Sequence, residues 1–362
     1  MNMGQNAPHF RLKKLPPLRE RVETIKILRQ TNKSTAALAE LKGFAKTIPN
    51  QSMLVNAIVL QEAKDSSEIE NIITTQDELY KALTINKSNI SAATKEVVNY
   101  RKAIFHGFDI AKKQGFLRVN DIVSIQQKLV DNTAGIRSIP GTVLKNDKTG
   151  ETVYTPPQNK AEILDLLTNF TNYFNEQNHD LSPLINLAIL HYQFESIHPF
   201  YDGNGRTGRI LNILYLILNE LIDVPILYLC AYIIDNKPEY YRLLNQTNRG
   251  EKWEEWILFM LKAIERTSKD TIAKITNIKN QLDKTIIKVQ KEAPKIYRKE
   301  LVELLFEQPY SKIEFVVDKL NVERKAASRY LRELENIGVL KSQKIGRETL
   351  YINKDLFEIL KK

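Results

Sequence analysis

The chain has 362 residues, 43% of them hydrophobic and 27% charged, with 13 glycines and 13 prolines. That composition excludes a disordered or collagen-like chain, and the length points to two or three domains rather than one core. A net charge of +10 favours acidic partners such as nucleic acid or nucleotide phosphates without naming one.

Residues 1–18, with Pro8, Pro16 and Pro17, read as an extended arm. Arg11, Lys13 and Lys14 are not followed by an apolar leader segment, and the most apolar run, 210–218, contains Asn212 and is too short to span a bilayer. Cys230 is the only cysteine and lies in the apolar stretch 226–234, so no intramolecular disulfide can form and a buried structural thiol is expected. The expectation is a soluble cytoplasmic protein with no membrane partner.

Helical patterning covers 19–30 and 34–41, and Pro49 resets the chain. From Gln51 the apolar positions Leu54, Val55, Ile58 and Val59 recur at helical spacing, and after the polar patch 64–68 the pattern resumes at Ile69, Ile72 and Ile73. Further helices are predicted at 75–83, 92–113 and 120–130, with Gly115 stopping the second. The β-prone pieces 142–144 and 151–154 flank a turn-rich segment, 146–150, and predict a hairpin closed by Pro156 and Pro157.

Helices follow at 160–176 and 183–197, and Pro199 disfavours helical geometry at His198, which therefore stands at a helix exit. Gly203 and Gly205 permit a tight turn, and the next helix is expected to start around Arg206. Beyond it, 237–248 and 252–264 read as helices, and Ile275, Ile278, Leu282, Ile286 and Val289 mark one stripe of a longer helix closed by Pro294. Helices at 295–307, 313–320 and 323–337 and β-prone pieces at 339–344 and 348–352 give the order of a winged helix-turn-helix.

The stretch His198-Pro199-Phe200-Tyr201-Asp202-Gly203-Asn204-Gly205-Arg206-Thr207-Gly208-Arg209 carries the chemistry. A loop of small residues feeding a helix N-terminus points free backbone N–H groups and the positive end of the helix dipole at one spot, which makes an anion site. Arg206 and Arg209, three residues apart, share a face of the first turn and can both reach phosphate oxygens. Asp202 is placed to hold Mg²⁺ against those phosphates, and a neutral His198 can take a proton from an incoming hydroxyl.

The same stretch resembles the Fic family signature, H-x-F-x-[DE]-G-N-G-R-x-x-R, at every specified position. The resemblance covers roughly residues 50–260 and implies transfer of AMP from ATP to a Ser, Thr or Tyr hydroxyl of a target protein, with attack on the α-phosphate and pyrophosphate leaving. It implies His198 as base, Phe200 as core anchor, Asp202 on Mg²⁺, Gly203, Asn204 and Gly205 as phosphate loop, and Arg206 and Arg209 on the phosphates. A related kinase branch carries Ala-Asn-Lys where this chain has Gly203-Asn204-Gly205, so AMP transfer is favoured, with another nucleotide or phosphocholine left open. Tyr240 and Tyr241 with Asn248 resemble the family's adenine-pocket stretch, although the two tyrosines read equally well as core aromatics. The hairpin stands where the family has its flap, a strand edge that registers the target by β-augmentation.

Ser66, Glu70 and Asn71 resemble the family's inhibitory motif, [ST]-x-x-x-E-[GN]. The resemblance implies that Glu70 pairs with Arg209 and keeps ATP from placing its γ-phosphate; removal of AMP through Glu70 stays open. By local pattern alone, Ser67-x-x-Glu70 is also a capping box that would start a helix.

The expected fold class is mainly α: a helical N-terminal region with the inhibitory motif (1–95), a Fic core with a β-hairpin flap (96–265), a linker helix (266–294) and a winged helix (295–362). In the last, Arg324, Lys325, Ser328, Arg329 and Arg332 would face outward with the wing around Gly346 and Arg347, but the small excess of basic over acidic residues leaves DNA binding and protein docking both open. The leading function is a self-inhibited protein adenylyltransferase that can also modify itself, and the rival is a nucleotide-sensing transcriptional regulator. A homodimer stays open.

Overall fold

Apolar residues at three- and four-residue spacing make helices along most of the chain. The computed structural model describes residues 12–48, 51–85, 90–145, 150–176, 180–250 and 252–361, so the first eleven residues of the predicted arm lie outside it. Six helices open the chain: α1 (Arg19–Val22), α2 (Ile25–Ala45), α3 (Gln51–Ile69), α4 (Gln76–Thr84), α5 (Ala92–Gln114) and α6 (Val119–Val130). Their ends follow side-chain chemistry. Thr24 caps α2, Thr75 and Glu78 close a capping box on α4, and Gly115 ends α5 in the left-handed conformation at φ 75°.

The hairpin is present as β1 (Leu144–Lys145) and β2 (Thr152–Tyr154), antiparallel with Leu144 opposite Tyr154; the predicted turn residues 146–149 lie outside the described residues. Next come α7 (Lys160–Asn175), α8 (Pro183–Ile197), α9 (Asn204–Leu218), α10 (Leu229–Asp235), α11 (Lys237–Gly250) and α12 (Trp253–Glu292). The two helices expected at 252–264 and beyond Ile272 are one helix of 40 residues. The polar residues between them hid its continuity: Thr267 and Thr271 are buried, and their hydroxyls donate to carbonyls one turn back at 2.7 Å. α10 was not predicted, because a continuous apolar run has no period to assign.

The C-terminal part holds α13 (Lys299–Glu307), β3 (Tyr310–Ser311), α14 (Ile313–Leu320), α15 (Arg324–Asn336), β4 (Lys341–Ile345), β5 (Glu348–Ile352) and α16 (Lys354–Lys361). Three helices and a hairpin stand in the expected order, with β3 completing an antiparallel sheet in the order β3-β5-β4. β3 and α16 were not predicted.

α8 is buried on almost every side and packs against α9, α7 and α12, while α9 also meets α5, α6 and α3. The loop between α8 and α9 therefore starts and ends in the core. The C-terminal part rests on the N-terminal helices: the Tyr80 and Tyr310 rings stack at 5.8 Å, and α13 packs on α3. Cys230 is buried and free. Among the described residues no helix is long and apolar enough to cross a membrane.

Candidate active site

His198 caps α8 with φ 47° and ψ 59°, and its N–H donates to the Phe194 carbonyl. A left-handed backbone is unfavourable for a residue with a Cβ, by about 1–2 kcal/mol, so the surroundings must hold it. They do so at each following residue. Arg137 Nε–H donates to the His198 carbonyl at 2.7 Å, and the Arg137 N–H donates to the Pro199 carbonyl at 3.0 Å. Phe200 is fully buried, and its backbone N–H and C=O are both bonded by the Asn204 side-chain amide at 2.8 Å. The Tyr201 hydroxyl accepts from the Ser138 N–H at 2.9 Å, and Gln126 Nε2 donates to the Asp202 carbonyl at 3.0 Å.

Gly203 then starts α9 at φ 77°, so the helix begins at Asn204 rather than near Arg206 as expected. A Cβ at Gly203 would stand 2.8 Å from Val130 Cγ1. Gly203→Ala should lower stability by about 1–2 kcal/mol from backbone strain alone, read as a lower denaturation midpoint; an unchanged midpoint would contradict this. The first N–H groups of α9 have no intrahelical acceptors, and they face the loop with the helix dipole behind them.

The half-buried His198 imidazole is pushed down to about 4, first by burial and then by the neighbouring Arg137 guanidinium, against weaker upward pulls from the Glu195 carbonyl and Glu70. It is neutral at physiological pH. Its Nδ1 is buried, which leaves Nε2 for an incoming group. Asp202 is 66% exposed at its side chain, and its Oδ1 accepts from the Gly203 N–H at 2.6 Å and from Arg206 Nη2 at 3.4 Å. Its Oδ2 has no partner among the described residues.

Both motif arginines are buried and both meet carboxylates from earlier helices. Arg206 Nη1 donates to Glu96 of α5 at 2.7 Å. Arg209 donates from Nε to Ser66 Oγ at 2.8 Å, and from Nη2 to the Ser66 carbonyl at 3.0 Å and to Glu70 Oε1 at 2.7 Å. Burial opposes the charge on Arg209 and Glu70 alike, yet each holds the other ionised: the Glu70 carboxyl is lowered and the Arg209 guanidinium raised. Gly205 makes room for this contact, since a Cβ there would collide with Glu70 Oε1.

The helix-start reading of Ser67 and Glu70 is corrected, because α3 ends here. The Ile72 N–H reaches back to Ser67 O and the Asn71 N–H to Glu68 O, both at 3.0 Å, with Asn71 left-handed at φ 62°. This is a Schellman cap, and Asn, like Gly, tolerates its left-handed position. Lys237 Nζ donates to Asn71 Oδ1 at 3.1 Å.

Tyr240 is buried among His191, Trp256 and Phe259, and its hydroxyl shares a 2.8 Å hydrogen bond with His191 Nε2. Tyr241 is 39% exposed with its ring against Tyr240. Asn248 is buried, and its Oδ1 accepts from the Tyr192 and Ser196 hydroxyls at 2.8 and 3.1 Å. Sequence reasoning missed Arg137, Glu96, Gln126 and Glu195. Glu195, one turn before His198, is pushed up to about 7 by burial, and its Oε1 lacks a hydrogen-bond partner. None lies in a motif, and only the three-dimensional packing gives them away.

The model described as "Fic/DOC family N-terminal" matches residues 28–109, "Fic/DOC family" matches 116–216, and "Protein adenylyltransferase SoFic-like, C-terminal domain" matches 282–356. The chain is similar to a protein named protein adenylyltransferase Fic from Drosophila mojavensis, 23% identical over 58% of this chain and 42% of that one. One of the same name from Nematostella vectensis is 35% identical over 26% of this chain and 21% of that one. The chain thus spans less than half the length of these curated relatives. Among solved structures, a Fic family protein from Desulfovibrio desulfuricans G20 aligns with TM-score 0.60 at 18% identity, covering 93% of this chain and 98% of the other. Fic-1 from C. elegans aligns with TM-score 0.53 at 16% identity, over 69% and 74%. These structural likenesses speak to the fold.

Proposed function

The chain belongs to the Fic/DOC family, and from that premise we propose that it is a protein adenylyltransferase held in check by Glu70. The observation that carries the proposal is a histidine, favoured in its neutral form by burial, at one end of a loop whose other end is a helix N-terminus flanked by two buried arginines. A target Ser, Thr or Tyr hydroxyl gives its proton to His198 Nε2 as its oxygen forms a bond to the α-phosphorus of ATP. The bond from that phosphorus to the β-phosphate bridging oxygen breaks, and pyrophosphate leaves. The free N–H groups of α9 and the guanidinium groups of Arg206 and Arg209 stabilise the phosphates, so catalysis rests on positioning and charge.

Asp202 fits a Mg²⁺ role, because its solvent-facing carboxylate keeps one oxygen without a protein partner and Mg²⁺ takes one or two carboxylates plus phosphate and water. When bound, the ion would neutralise phosphate charge. Among the described residues no cluster of three or more His, Cys, Asp or Glu side chains could hold a metal by itself. The adenine would lie on the Tyr241 side of α11, the exposed edge of the Tyr240 cluster. The β1–β2 edge would register the target, and the free buried thiol of Cys230 accords with a reducing cytoplasm.

Incubation of the Glu70→Gly variant, in which the restraint on Arg209 is removed, with Mg²⁺ and ATP labelled at either the α- or the γ-phosphate tests the proposal. Protein-bound label is expected from the α position alone. Label from the γ position would mean phosphoryl transfer, and none from either would favour a nucleotide sensor.

A further inference from the structure

Arg137 lies in the irregular segment between α6 and β1, outside every motif, and its side chain is fully buried. No carboxylate stands within ion-pair distance of it among the described residues. A buried cation without an anion is costly, and its hydrogen bonds show where that cost is offset. Nε–H donates to the His198 carbonyl at 2.7 Å, Nη2–H donates to the Pro157 and Ile197 carbonyls, and Nη1 has no partner. Its own backbone is tied to the same loop: Arg137 N–H donates to Pro199, and Ile136 forms an isolated bridge with Phe200.

One guanidinium thus joins three places: the last carbonyl of α8, the left-handed residue that carries the base, and the chain leaving β2. Without the fork, the His198 carbonyl would be free to turn and relax the strained backbone. A lysine reaches one carbonyl but cannot span two with fixed geometry.

We propose that Arg137 is a positioning residue for transfer, holding His198 in its left-handed conformation and locking the exit of the hairpin to the base, so that a target segment on β1–β2 and the proton acceptor move as one body. Its charge also bears on the base. The imidazole faces Arg137 from this segment, Glu70 from the end of α3 and the Glu195 carbonyl from its own helix, and Arg137 is the nearby cation that favours the neutral form.

This rests on His198 being the base, and the test separates the two ideas. Arg137→Met and Arg137→Lys would be made in the full chain carrying Glu70→Gly. The His198 imidazole would be titrated by NMR, its signal identified by its loss in His198→Ala, and AMP transfer measured across pH. Relative to the Glu70→Gly parent, Arg137→Met is expected to move the imidazole up toward the ordinary histidine range, because the nearby guanidinium is lost, to shift the acid limb of transfer with it, and to slow transfer by about a hundredfold. Arg137→Lys should restore the low titration but not the rate. A folded Arg137→Met chain with the parent's titration and rate would overturn the proposal. Should Arg137→Met fail to fold, Arg137→Lys decides alone, and a rate equal to the parent's would overturn it. If the Glu70→Gly parent transfers no AMP, the functional reading fails, while the titration still reports whether Arg137 governs the imidazole.

Discussion

His198→Ala is expected to cut AMP transfer by about 10²–10⁴-fold in a chain already carrying Glu70→Gly, with little change in the denaturation midpoint. The loss is large because, among the described residues of the loop, His198 is the one whose ring nitrogen Nε2 is left open to an incoming hydroxyl. Asp202 is the nearest loop carboxylate, but its Oδ1 is bonded by the Gly203 N–H and approached by Arg206. Glu70 is absent from this variant, and Glu195 is held behind the motif, where its charge is felt by Arg209. The small effect on folding follows from the half-buried ring, whose loop is held through backbone atoms: the His198 carbonyl bonds Arg137, and its N–H bonds Phe194. Label incorporation and the intact protein mass measure the rate. Transfer within threefold of the parent would remove His198 as the base.

Glu70→Gly is expected to raise auto-modification by on the order of tenfold to a hundredfold. A hydrogen bond to a charged group contributes about 1.5–3 kcal/mol, and at 35% side-chain exposure solvent screening places this one toward the lower figure. The substitution removes one of three contacts on Arg209 and spares the two from Ser66. The guanidinium is then freed without losing its orientation, and Arg206 keeps Glu96. Glycine is at ease at a helix C-terminus, so the fold should tolerate the change. Intact mass after incubation with ATP and Mg²⁺ gives the readout. Equal modification in the two proteins would mean that Glu70 restrains nothing.

The helices and the motif were legible because their signals are local. Apolar spacing gave α5, α6, α7 and α8 nearly to their ends, and Pro199 marked the exit of α8. The boundary at α9 moved because the left-handed Gly203 can cap a helix as well as turn a loop. Ser67 and Glu70 read locally as a helix start, while the reach of Ile72 back to Ser67 makes the stretch a helix end. Arg137 and Glu96 were out of reach for another reason. Nothing beside them in sequence distinguishes them from ordinary surface charges, and their partners lie 61 and 110 residues away.

The cap on α3 bears on how the proposed inhibition would be lifted. Three backbone bonds hold the turn that presents Glu70: Glu70 to Ser67, Asn71 to Glu68 and Ile72 to Ser67, each at 3.0 Å. Helix ends fray at far lower free energy than the protein unfolds, and within nanoseconds to microseconds. Melting one turn withdraws the carboxylate from Arg209 without rotating a domain. Under the proposed function, basal activity would be set by the fraction of time this last turn is open, a fraction that the buried Ser67 and Ile69 side chains keep small. Amide hydrogen exchange at Asn71 and Ile72 reads that fraction directly.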